Sequence, residues 1–276
     1  GDGFDDRYGY DEATALDKAR QVSEQTIDGT DPEATEPPHT GRTGPDAHPS
    51  PLALPDLVSL PALDVSTFVE AGSDRDLLAF SAITWNRGRA AMVIDGFAIP
   101  DRPGFMEAYQ QFGRVNGRDT GSAPIGTLEY HAGGGHDHWH FLAFSQYDLV
   151  REDGGEVQRS GKEAWCLADT DAIDTTRQGV VRTIATTLGT ACGEQDALWV
   201  RETLAVGWGD TYVQDVSGQA FDITDLPNGR YLIRLTANPE GAIYESDTTN
   251  DVADRLVILG GTRGAVARRG LRVPPL

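Results

Sequence analysis

Lysine is nearly absent from this chain. Of 23 basic residues only Lys18 and Lys162 are lysine, and the rest are arginine. Positive charge as a whole is scarce: 43 acidic residues leave a net charge of −20. That balance argues against nucleic acid or an anionic membrane as partner, because both are bound through positive charge. It suits a cationic substrate or a life in high salt. Cysteine is scarce too. Cys166 and Cys192 are too few for a disulfide scaffold. No run of about 20 apolar residues occurs, which excludes a helical membrane span. No basic start followed by an apolar stretch opens these residues, so no secretory leader is read in them. What is present suffices for a core. Hydrophobic residues make up 39% of 276 and aromatic residues 8%, too rich for wholesale disorder.

Composition divides the chain in three. Residues 1–50 hold twelve acidic and four basic residues. Their second half is rich in Pro, Thr, Gly and Asp, with little apolar surface to offset ordering entropy. They read as a flexible acidic leader or pro-segment, with a short helix possible within 11–25. Residues 263–276 read as a loose C-terminal tail. Between them, 51–262 reads as one domain of short strands rich in β-branched and aromatic residues. These runs fall at 62–69, 75–84, 90–99, 126–131, 138–150, 162–168, 197–204, 219–223, 230–237 and 252–258, divided by Gly, Asn and Asp. The pattern predicts an all-β fold, an antiparallel β-sandwich with long loops and few short helices.

Four of the six histidines lie within 131–140. In a strand, residues i, i+2 and i+4 share a face. His136, His138 and His140 would then converge while Asp137 and Trp139 face away. Imidazole suits copper, zinc, iron and nickel. A solvated patch or a core network is the plainer alternative, but three imidazoles on one strand face crowd each other without a metal. A cupin site would want a Glu shortly after His-x-His, where Ala143 and Phe144 stand. Gly133-Gly134-Gly135 lacks the Lys-Ser/Thr of a phosphate loop.

The surrounding motifs are more specific. After Leu54-Pro-Asp-Leu-Val58 and the histidine run comes Gly161-Lys-Glu-Ala-Trp-Cys-Leu-Ala-Asp-Thr170. Asp210-Thr-Tyr212, Phe221-Asp-Ile-Thr-Asp-Leu-Pro-Asn-Gly-Arg-Tyr231, Asn238-Pro239 and Glu245-Ser-Asp-Thr-Thr-Asn-Asp251 follow. In this order the chain resembles the lysyl oxidase family from about 54 to 258. The resemblance implies copper (Cu2+) on His136, His138 and His140. It implies a lysine tyrosylquinone made from Lys162 and Tyr212, Lys162 standing four residues before Cys166. It implies calcium (Ca2+) on Asp56, Leu57, Glu245, Asp247, Asn250 and Asp251, the last being Asp where the animal pattern has Asn. Cys166 and Cys192 match a bridged pair, which implies an extracytoplasmic or secreted protein.

The implied activity is oxidative deamination of primary amines, peptidyl lysine or small amines, to aldehydes with release of ammonia and hydrogen peroxide. Arginine could not replace Lys162, since it stays protonated and is no nucleophile. Asp210 is a candidate for the base that removes the α-proton, or else a turn residue. Two rivals remain. One is a copper-binding or copper-delivery module without the quinone; the other is a calcium-stabilised structural β-domain. Neither the amine nor the oligomeric state is legible.

Overall fold

The computed structural model describes residues 49–113, 116, 121–132, 137–142, 144–159, 164–180, 192–216, 218–261 and 270–276. All but the last two residues of the 1–50 segment, with its helix reading at 11–25, lie outside them. So do His136, Lys162 and Gly133 to Gly135. Among the described residues the one helical element is a 3-10 turn, Pro51–Ala53, whose first turn the Ser50 hydroxyl caps at the Leu52 amide.

The other described elements are antiparallel strands, as the alternating apolar runs predict. Among the described residues they form three sheets. The first has β3 (Asp76–Asn86) at its centre. Around it lie β1 (Leu57–Ser59), β2 (Leu63–Val69), β12 (Trp208–Tyr212) and β13 (Ala220–Asp222), and β10 (Asp171–Ala172) lies on β12. The second runs in the order β11 (Trp199–Leu204), β4 (Met92–Ala98), β5 (Phe105–Gln111), β6 (Ser122–His131), β7 (His138–Phe141). The third runs β16 (Gly270–Arg272), β15 (Val252–Gly260), β14 (Gly229–Ala237), β8 (Ser145–Arg151), β9 (Glu156–Arg159).

One core joins the three sheets. Leu78, Phe80 and Tyr212 come from the first, Ile94, Leu128 and Val200 from the second, and Tyr147, Ile233 and Val257 from the third. Along β14, Tyr231, Ile233, Leu235 and Ala237 are buried while the residues between them are more exposed, the period-two signature of a half-buried strand.

Three readings change. The run 138–150 is two strands: β7 stays on β6, its last bond running from the Leu142 amide to the Thr127 carbonyl, and the chain then crosses to another sheet as β8. Within 162–168 the described residues make no strand but a single bridge, Trp165 to Phe141. Part of the segment read as a loose tail, Gly270–Arg272, pairs with β15.

Candidate metal and tyrosine site

Strand β7 lies at the end of the second sheet, paired with β6 so that His138 faces His131 and His140 faces Glu129. Alternation works as the sequence suggests. Trp139 points into the core, 2% exposed, and its indole donates to the Glu194 carbonyl at 2.8 Å. Its backbone amide donates to the Cys192 carbonyl at 2.9 Å. His138 and His140 share the opposite face, with ring centroids 4.6 Å apart.

Their Nε2 atoms are 2.9 Å apart. Two nitrogens at right angles on one metal, each bonded at about 2.0–2.1 Å, lie about 2.9 Å apart. The same distance is a hydrogen bond when one ring carries the shared proton and a ligand pair when neither does. The donor chemistry and the spacing therefore fit a copper-type ion. His131, which sequence reasoning left out of the triplet, stacks edgewise on His140 with centroids 4.5 Å apart. Its Nε2 lies 3.6 Å from Glu129. Its signal was its place among the four clustered histidines, but only the β6–β7 register brings it across.

Tyr212 ends β12, on the same face as Asp210, and both are buried. Its ring packs on Trp165 at 4.2 Å between centroids. Trp165 in turn exchanges both backbone hydrogen bonds with Phe141, the residue after His140. The Tyr212 hydroxyl accepts from the Cys166 amide at 2.9 Å. Burial, and then the Asp210 charge, push the phenol well above its ordinary value.

The Cys-Leu-x-Asp-Thr run and the Asp-Thr-Tyr run are thus laid against each other. Besides the Cys166–Tyr212 contact, Thr170 Oγ1 accepts from the Thr211 amide at 2.7 Å. Asp169 accepts from the Ala205 amide at 2.7 Å. Glu202, which sequence reasoning missed, accepts from the Leu167 amide at 3.1 Å and is 1% exposed. Burial drives its carboxyl well up, and the Asp210 charge adds to that. A signal existed: in strand β11 Glu202 alternates with buried Val200 and Leu204, a charge on an apolar face. Cys166 and Cys192 are joined in a disulfide with Cα atoms 5.8 Å apart.

The six residues of the implied calcium set also meet. The Leu57 amide donates to Glu245 Oε2 at 2.9 Å, and Asn250 Nδ2 donates to Asp56 Oδ1 at 2.8 Å. Asn238, at φ 45°, holds the loop from behind: its amide donates to Glu245 Oε1 at 2.6 Å and to the Ile243 carbonyl at 3.0 Å. Burial raises Glu245 to about 7, with Asp251 and Asp56 adding to it. Burial raises Asp251 to about 6, with Asp56 and Asp247 adding to it. Asn250 Oδ1 and Asp251 Oδ1 are buried without a hydrogen-bond partner. Carboxylates that repel one another, and amide and carboxylate oxygens lacking donors, are the donor set of a hard cation. No three described His, Cys, Asp or Glu side chains already point at one ligating centre. Here the reason is visible: Asp247 Oδ1 is turned to Thr249, while Asp56 Oδ2 and Asp247 Oδ2 are turned to Arg87.

Fold and site together define a disulfide-bonded protein of antiparallel sheets, with an imidazole pair 2.9 Å apart on β7 and a buried tyrosine joined to that strand through Trp165. The family model for lysyl oxidase matches residues 120–268, just over half of the chain. The chain belongs to the lysyl oxidase family. It is 35% identical over 118 residues to lysyl oxidase homolog 4 of Mus musculus, covering 42% of this chain and 14% of that protein. It is 34% identical over 119 residues to lysyl oxidase homolog 2 of Gallus gallus, 42% of this chain and 13% of the relative. Lysyl oxidase homolog 3B of Danio rerio is 31% identical over 117 residues, with the same two shares. The matched region is about one-seventh of these relatives' length. Asp56 and Leu57 fall before the family match.

Proposed function

We propose that this protein is a copper-dependent amine oxidase acting outside the cytoplasm. It converts a primary amine, oxygen and water to an aldehyde, ammonia and hydrogen peroxide. The observation that carries the reading is the Tyr212 hydroxyl on the Cys166 amide at 2.9 Å. It ties the Asp-Thr-Tyr strand to the segment that begins four residues earlier with Lys162, one of two lysines in the chain.

His138 and His140, with His136, are the residues that would hold copper. Copper supplies the oxygen and one-electron chemistry, and a quinone built from Tyr212 and Lys162 supplies an electrophilic carbonyl. The other roles belong to the chain. Trp165 covers the Tyr212 ring and keeps water from it. Asp210, on the same strand face, is the carboxylate suited to accept a proton there. Glu202 holds the Leu167 amide and so fixes the segment beside the tyrosine. The 245–251 loop with Asp56 and Leu57 would hold calcium, a structural ion that joins the two ends of the domain.

The test is to refold the protein with copper under air, offer several amines and follow peroxide, with and without a carbonyl reagent. Peroxide that the reagent abolishes, and a Lys162–Tyr212 linked peptide by mass spectrometry, are expected. Turnover with both peptides unmodified would refute the reading. Bound copper with neither peroxide nor link would leave a copper-binding module.

A further inference from the structure

We propose that Arg87 is the resident cation of the clasp between Asp56-Leu57 and the 245–251 loop, and that a divalent ion enters only by displacing it. The inference rests on the calcium reading above and concerns a residue outside the implied ligand set.

Arg87 is not a stray surface arginine. Its Nε lies 2.9 Å from Asp56 Oδ2 and its Nη2 lies 3.1 Å from Asp247 Oδ2. One guanidinium thus bridges a carboxylate from the entry segment and one from the loop. Its backbone is fixed from both directions. The Arg87 amide donates to the Asp56 carbonyl at 2.7 Å, and the Arg177 guanidinium donates to the Arg87 carbonyl. The turn is anchored by Asn86, fully buried, whose amide reaches the Ala90 and Leu204 carbonyls and whose oxygen accepts from Gly88. At Gly88 an added Cβ would stand 2.6 Å from the Asp56 amide nitrogen, so this turn is pressed on the entry segment.

The base of Arg87 is therefore held while its head, 36% exposed, retains a path to solvent. The clasp holds four carboxylates, those of Asp56, Glu245, Asp247 and Asp251, and Arg87 is paired with Asp56 and Asp247. Asp251, nine-tenths buried, keeps Oδ1 without a donor, as does Asn250. That remainder is what a dication would take, and Asp56 and Asp247 are what it would have to share with Arg87.

The experiment compares wild type, Arg87→Gln and Arg87→Lys by calcium titration calorimetry and by thermal melting with calcium or with chelator. Without calcium, Arg87→Gln should melt about 4 °C lower, having lost the bridge. Calcium should restore it and should bind about tenfold more tightly than to wild type, since no unit charge is displaced. Arg87→Lys, which cannot grip both carboxylates, should fall between the two. If Arg87→Gln folds only with calcium, that too supports the proposal. Equal calcium affinity in all three proteins would overturn it and leave the calcium reading standing. No calcium binding to any of them would overturn both.

Discussion

Replacing Cys166 and Cys192 together by serine separates what the cross-link does from what its neighbours do. The bridge spans 26 positions. In the chain-entropy account, closing such a loop removes about 3.5 kcal/mol of freedom from the unfolded chain. The folded contacts beside it are made by backbone: the Cys166 amide to Tyr212, and the Cys192 carbonyl to the Trp139 amide. Serine preserves both, so the loss should be almost wholly that of the unfolded state. For a domain of this size about 1 kcal/mol moves the midpoint by about 2–4 °C, so melting should fall by about 7–14 °C. Urea unfolding should also show a larger m in the double variant, since its unfolded chain is less compact. Wild type treated with reductant should superimpose on the variant. A stability difference under about 1 kcal/mol, or reduced wild type matching the oxidised protein, would refute the account.

Three further outcomes are expected. His138→Ala should lower bound copper from one equivalent to none by metal analysis while leaving the melt of the metal-free protein little changed, because the ring is only half-buried. Tyr212→Phe should abolish the linked peptide and all peroxide release, and should cost about 1–3 kcal/mol in urea unfolding, because the Cys166 amide loses its acceptor. Asp169 gives a pH signature. Burial lifts its carboxyl from 3.8 to about 6 in the folded protein. The folded state therefore binds the proton more tightly than the unfolded one, and stability falls as pH rises from about 4 through about 6. That gap is worth about 3 kcal/mol. Asp169→Asn should gain on wild type by about that much between pH 4 and pH 7.5 in urea unfolding, whatever its offset at pH 4.

The strands most legible in the sequence were those with clear alternation, such as β14 and β15. Strand β5 was not, since Phe105–Gln111 has no β-branched residue and ends on two glutamines. Strand β12 was hidden by Gly209 and Asp210, which read as a turn. Gly209 is a packing requirement instead: a Cβ there would meet Ile173 and Ile83 at 3.0 Å. The join between β7 and β8 carries no Gly, Pro or Asn, so nothing local marked the crossing. At the site, the disulfide and the meeting of the two motifs around Tyr212 follow from residue order and resemblance. Arg87 was illegible, because its partners stand 31 and 160 positions away. Lys162 and His136 lie outside the described residues.

The clasp between the entry segment and the 245–251 loop sets an order of folding. Leu57 meets Glu245 across 188 positions, and Asp56 meets Asn250 across 194. Closing a loop of that length costs about 4–5 kcal/mol of chain entropy before any contact rewards it. During synthesis Asp56 emerges early and must wait for nearly the whole domain to follow. Contacts of such high order are among the last to form and slow the reaction as a whole. A circular permutant that links the end of β16 to the chain just before Pro51, with new termini opened in an exposed turn elsewhere, would keep every strand and greatly shorten this closure. It should fold faster at nearly unchanged stability.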